Sequence, residues 1–273
     1  MNSTLSSKVP RWSHLLLAAI LVALVGGAFW LKTRPKPAII GAAGQESTEA
    51  LLARGIRQHT AGSLDAAMES YHAVLQHDPA NPSAHYNIAQ IYNVRGQYAQ
   101  AQSEYEAALK ADPKSLDARL NLGVVLYRQR QFAAAAQAFR QVLQASPKHP
   151  LALFDLGVTL LEMGENDQAI RWLTASLRED PKRADTHFYL GVALERQRRF
   201  AEARAALRKA LDLSPGHADA YLALVRVYMA QGERRLAMEA LKKAVELNPS
   251  LFRPPSQAFP ARGKGDGTAA KQR

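Results

Sequence analysis

Side chains able to do acid–base, nucleophilic or metal chemistry are few and scattered in this 273-residue chain. Its eight histidines are His14, His59, His72, His77, His85, His149, His187 and His217. No two of them stand four apart, the spacing that puts two imidazoles on one helical turn for a metal. The absence of cysteine removes thiol nucleophiles, disulfides, iron–sulfur clusters and cysteine-ligated zinc together. No HExxH, GxSxG or phosphate loop occurs, and the glycine run Gly263-Lys-Gly-Asp-Gly267 opens no helical pattern. The carboxylates are single rather than paired, so no general acid and base are suggested. The expectation is a protein that is not an enzyme and holds no cofactor or metal; what remains is binding.

Charge indicates where that binding is not. The net charge is +11, but residues 1–47 and 252–273 carry +4 each, leaving +3 for the 204 residues between them. A nucleic-acid domain concentrates basic charge on its folded face, so nucleic acid is not an expected partner. Leu15–Leu31 (LLLAAILVALVGGAFWL) holds no charge and spans roughly 26 Å as a helix, with Trp12 and Trp30 near its ends. Lys32, Arg34 and Lys36 follow directly, and the small residues Gly41–Ala43 lie too far on for a cleavage site. The run therefore reads as an uncleaved anchor rather than a signal peptide. Residues 1–14 form a short basic tail, 15–31 the transmembrane helix, 32–47 a proline-containing linker and 252–273 a flexible basic tail. Lys8, Arg11 and the amino terminus balance the three charges beyond the helix, so flanking charge does not orient it. Ala19, Ala23 and Gly27 form a small-residue stripe that would let two such helices approach, which makes a second copy of the chain a candidate partner.

Between the flanks the sequence repeats. Proline recurs at Pro79, Pro113, Pro147, Pro181, Pro215 and Pro249, each 34 residues after the last. Aligned on these prolines, residues 48–251 divide into six repeats: 48–81, 82–115, 116–149, 150–183, 184–217 and 218–251. The eighth column reads Gly55, Ala89, Gly123, Gly157, Gly191 and Val225. The twentieth is alanine throughout, from Ala67 to Ala237, and the twenty-fourth is large: Tyr71, Tyr105, Phe139, Leu173, Leu207 and Leu241. Small residues at the eighth and twentieth positions let two helices cross closely, and the large residue fills the layer between repeats. Gly62, Gly96, Gly164 and Gly232 fall at the turn between the helices, where a left-handed residue is useful.

This pattern resembles the tetratricopeptide repeat (TPR). The resemblance implies an all-α, right-handed superhelical solenoid of six helix-turn-helix repeats, preceded here by the one transmembrane helix, with the first helix of each pair lining a concave groove. Groove residues are then expected at Tyr86, Asn87, Gln90, Leu120, Asn121, Val124, Phe154, Asp155, Val158, Phe188, Tyr189, Val192, Arg196 and Arg226. Asn87, Asn121 and Asp155 share one column; asparagines there grip the backbone of an extended peptide in superhelical relatives, since an amide donates and accepts at once. The same residues suit local hydrogen bonding, and the sequence does not separate the two readings. Phe154 and Phe188 also share a column, as adjacent anchors for a ligand or as packing. Chaperone-binding relatives clamp a C-terminal carboxylate with basic residues at the second position; Glu49, Asp117, Asp185 and Asp219 in that column would repel one.

The functional expectation is a membrane-tethered scaffold or adaptor that binds a protein or peptide in the groove and organises a membrane-associated complex. The alternative is a non-catalytic subunit that places a partner enzyme, such as a glycosyltransferase or translocase, at the membrane. The expected location is a bacterial inner membrane, with the repeats leaning to the periplasmic side. Two prolines at Pro254 and Pro255 forbid a helix directly after the last repeat, so Leu236, Leu241 and Val245 are expected to be exposed unless the tail or a second copy covers them.

Overall fold

The computed structural model describes residues 46–251, and among them every regular element is helical. The expected membrane helix, linker and basic tails lie outside the described residues. The chain divides into two compact units at Ala145 and Ser146, each holding three helix pairs. The first unit contains α1 (Thr48–Thr60), α2 (Leu64–His77), α3 (Pro82–Val94), α4 (Tyr98–Ala111), α5 (Leu116–Arg128) and α6 (Phe132–Ala145). The second contains α7 (Pro150–Glu162), α8 (Asn166–Glu179), α9 (Ala184–Arg196), α10 (Phe200–Leu213), α11 (Ala218–Ala230) and α12 (Arg234–Leu247), then a 3₁₀ turn at Pro249–Leu251.

First helices start from local signals in the sequence. Ser47, Asn81, Ser115, His149 and His217 each accept a hydrogen bond from the backbone N–H three residues on, and Pro82 and Pro150 open their helices where a missing N–H costs nothing. Each first helix ends in a Schellman turn. In the first repeat the Ser63 N–H reaches back to the Gln58 carbonyl and the Gly62 N–H to that of His59, and the same bonds recur in the other five. That turn needs a left-handed residue, which is glycine in four repeats, with φ between 73° and 79°. In the other two it is Arg130 (φ 61°) and Arg198 (φ 58°).

In four of the six pairs the helices close on the glycine of the eighth column. A Cβ on Gly55 would lie 2.5 Å from a ring carbon of Tyr71, and one on Gly123 2.5 Å from Phe139. At Gly157 and Gly191 it would meet Leu173 and Leu207 at 2.7 and 2.6 Å. The large residue of the twenty-fourth column therefore closes on the glycine of its own repeat, a role beyond the expected one between repeats. It still serves the layer: Tyr71 packs in one cluster with Ile88 and Ile91 of the following repeat. The twentieth-column alanines are buried in all six repeats.

Seams between repeats within a unit are also tied on the surface. Asp65 accepts from Arg95, Gln129 donates to Gln102 and to the Tyr98 carbonyl, Gln197 donates to Asp167, and Glu233 accepts from Arg204. At the last helix Leu236, Leu241 and Val245 are half-buried, less open than expected, whereas Met238 is 66% exposed.

Two substitutions test this account in opposite directions. Gly123→Ala gains helix propensity yet should destabilise by about 1–3 kcal/mol in denaturant titration, because the buried Phe139 ring has no room to withdraw. Arg198→Gly should stabilise by about 0.5–1 kcal/mol, since glycine accepts the left-handed turn without a Cβ clash.

Candidate functional site

The first-helix face of the first unit is built around a tyrosine. Tyr86, in α3, is half-buried, and its hydroxyl accepts hydrogen bonds from Gln90 Nε2 at 2.9 Å and from Asn121 Nδ2 at 3.0 Å. The second bond crosses from α5 to α3. Gln90 lies one helical turn after Tyr86, which is why the sequence can place its amide there. The Tyr86 ring meets Tyr105 of α4 edge-on, with centroids 5.8 Å apart. Burial first, then the nearby charge of Asp117, pushes the Tyr86 phenol up to about 12, against the opposing pull of the two amide hydrogen bonds. With both amides donating, the hydroxyl proton and the side-chain oxygens of Gln90 and Asn121 are what this face offers to a peptide's carbonyls and N–H groups.

Asn87 donates to the Ser83 carbonyl of its own helix at 2.7 Å, the local use of that column. Asn121 is spoken for by Tyr86. The two asparagines thus share a column without forming one row of amides. Val124 is half-buried beside them, whereas Leu120 is buried in the layer beneath.

On the second unit, α9 lies against both α7 and α11, and aromatic rings meet between α7, α9 and the residue that opens α11. Phe154 of α7 is wholly buried. The guanidinium of Arg183 covers its face, 3.9 Å from the ring centroid, and Tyr189 meets it edge-on at 5.7 Å. Phe154 therefore has no surface to anchor a ligand, which corrects the expectation of two adjacent phenylalanine anchors. Val158 and Leu161 are likewise buried. Phe188 differs: it is half-buried, 5.0 Å from Tyr189 and 4.6 Å from the His217 ring, and Val192 continues its side of α9 one turn on. Asp155 is half-buried, and its backbone carbonyl accepts from the Thr159 hydroxyl. Arg196 donates to the Leu161 carbonyl, and Arg226 grips Glu195 with two bonds of 2.7 Å.

The structure thus brings Tyr86, Gln90 and Asn121 together on one unit and Phe154, Tyr189 and Phe188 on the other, and engages both arginines with partners inside the chain. Sequence reasoning missed Arg183 and His217. Both stand immediately before a first helix, in the last column of their repeats, where an arginine among serines, asparagines and histidines was the available signal. Among the described residues no group of three His, Asp or Glu side chains could hold a metal.

Family models described as tetratricopeptide repeat match residues 94–150 and 154–218, and residues 59–103 and 194–253. The chain belongs to the tetratricopeptide repeat family. Among solved structures, the TPR protein YrrB, described as having an unusual peptide-binding site, is 25% identical. That match covers 65% of this chain and 91% of YrrB, with a TM-score of 0.60. PilF from Pseudomonas aeruginosa is 22% identical over 74% of this chain and 92% of its own, with a TM-score of 0.64. MamA is 24% identical over 60% of this chain and 96% of its own, with a TM-score of 0.56. No curated protein sequence matches the chain. The TPR array is a protein-binding scaffold, and its two first-helix faces are the surfaces described above.

The buried tyrosines make this scaffold sensitive to alkali. Burial also raises the phenols of Tyr71 and Tyr105. A phenol held above its unfolded value of 10 contributes full stability below pH 10 and loses it as the pH rises through its folded value. The melting temperature should therefore fall between about pH 10 and pH 12, and Tyr86→Phe should flatten part of that fall.

Proposed function

We propose that this chain is a membrane-tethered TPR adaptor that captures a protein segment on its first-helix faces and so organises a membrane-associated complex of the bacterial envelope. The observation that carries the reading is the Tyr86–Gln90–Asn121 cluster. It leaves one hydroxyl donor and two amide oxygens on a half-buried surface, beside the apolar Val124. An extended main chain presents alternating donors and acceptors that suit such a set, whatever its own side chains. The peptide-binding site in the description of YrrB supports the same class of ligand. Tethering rests on the uncharged run Leu15–Leu31, which lies outside the described residues; among the described residues no helix is long and apolar enough to cross a membrane.

Photocrosslinking in native membranes tests the reading. A photoreactive side chain at Val124 should yield partner adducts, while one at the exposed Gln141 on α6 should not. Combining Gln90→Ala with Asn121→Ala should weaken capture by about 1–3 kcal/mol with helicity unchanged. Deleting residues 1–31 should release the chain from the membrane fraction. Equal adducts from both positions, or capture indifferent to the double substitution, would sink the groove.

A further inference from the structure

The position before each first helix is occupied by a residue that caps it, with one exception. Ser47, Asn81, Ser115, His149 and His217 all accept a backbone N–H, but Arg183, ahead of α9, makes no such bond. Its guanidinium carbon stands over the Phe154 ring, 3.9 Å from the centroid, in a half-buried position. The capping stabilisation forgone there is of the size that natural sequences usually keep.

Arg95, Arg204 and Arg226 each hold a carboxylate, and Arg119 and Arg196 each hold a backbone carbonyl. Among the described residues no acceptor meets the guanidinium of Arg183, which lies over the Phe154 ring. Several exposed arginines also lack an acceptor, and Arg130 and Arg198 also stand over rings, at 5.4 and 6.0 Å; Arg183 is set apart by being half-buried and closest to its ring. A guanidinium held over an aromatic ring keeps its N–H groups available for hydrogen bonding, and a free guanidinium edge takes a carboxylate bidentately. Asp185, two residues on, stands 3.8 Å from Nε2 of His217, and Asp155, next to Phe154 in the chain, has a partner within the protein. Phe154 links this fork through Tyr189 to the half-buried Phe188.

We infer that Arg183 is a carboxylate-reading position, and that the second unit selects peptide segments carrying an acidic side chain beside an apolar one, the acid on Arg183 and the apolar residue on Phe188 and Val192. The inference rests on the proposal that first-helix faces bind peptide, and it names the chemistry one of them prefers. It differs from clamping of a chain terminus, because a side-chain carboxylate anywhere along a segment satisfies it.

The test uses the full chain in detergent micelles and a cellulose-bound array of random decapeptides, spotted in pairs that differ only by glutamate for glutamine. The wild type should bind glutamate members about tenfold more tightly at low salt. Arg183→Asn removes the fork while restoring a capping side chain of the kind Asn81 supplies, so the fold is kept, and the glutamate preference should fall to within about twofold. Arg183→Lys, which keeps the charge without the planar stack, should fall between the two. Equal binding of both members by the wild type overturns the inference and leaves peptide capture standing. So does a glutamate preference that survives Arg183→Asn. Binding of no decapeptide by any form overturns both.

Discussion

Everything in each repeat is organised around one close crossing. At Gly55, Gly123, Gly157 and Gly191 the first helix has no Cβ because a ring or a leucine of the second helix occupies the space where it would be. The contact sets how near the two axes lie, and that nearness brings the alanines of the twentieth column into full burial. The second and sixth repeats carry Ala89 and Val225 in that column, so the approach onto a bare Cα belongs to four of the six pairs.

From that crossing the rest of the unit follows by repetition. The Schellman turn delivers the second helix at a fixed angle, and the capping residue restarts the chain for the next pair. Because each repeat packs mainly on its neighbours, first helices from successive repeats end up side by side, as α9 does between α7 and α11. A surface assembled this way has its backbone satisfied inside the helices, so only side chains speak to a partner. On the first unit those side chains are amides gathered on a phenol; on the second they are aromatic rings with a guanidinium over one end.

The two faces use buried polarity differently. Tyr86 spends its acceptor capacity holding Gln90 and Asn121, which stiffens them before any ligand arrives. Arg183 is oriented by an apolar surface instead, so its hydrogen-bonding capacity remains unspent. Stiffening by hydrogen bond and stiffening by stacking reach the same end, a polar group with few rotamers left to lose.

Helices, turns and repeat register were legible in the sequence because their causes are local and periodic: a proline every 34 residues, a glycine at the turn, an alanine in the twentieth column of every repeat. The sequence by itself also determined that family and the absence of a thiol-based chemistry. The fate of the candidate site residues was decided elsewhere. Phe154 and Phe188 occupy the same column and read identically in the chain, yet one is wholly buried and the other half-exposed. What separates them is the residue 29 positions on, Arg183 over the first and His217 beside the second. Asn87 and Asn121 also read alike, and one turns to its own helix while the other crosses to Tyr86. A side chain's exposure and its choice of partner depend on what the neighbouring repeat sets over it, and that is a property of the packed layers rather than of any one period of the sequence.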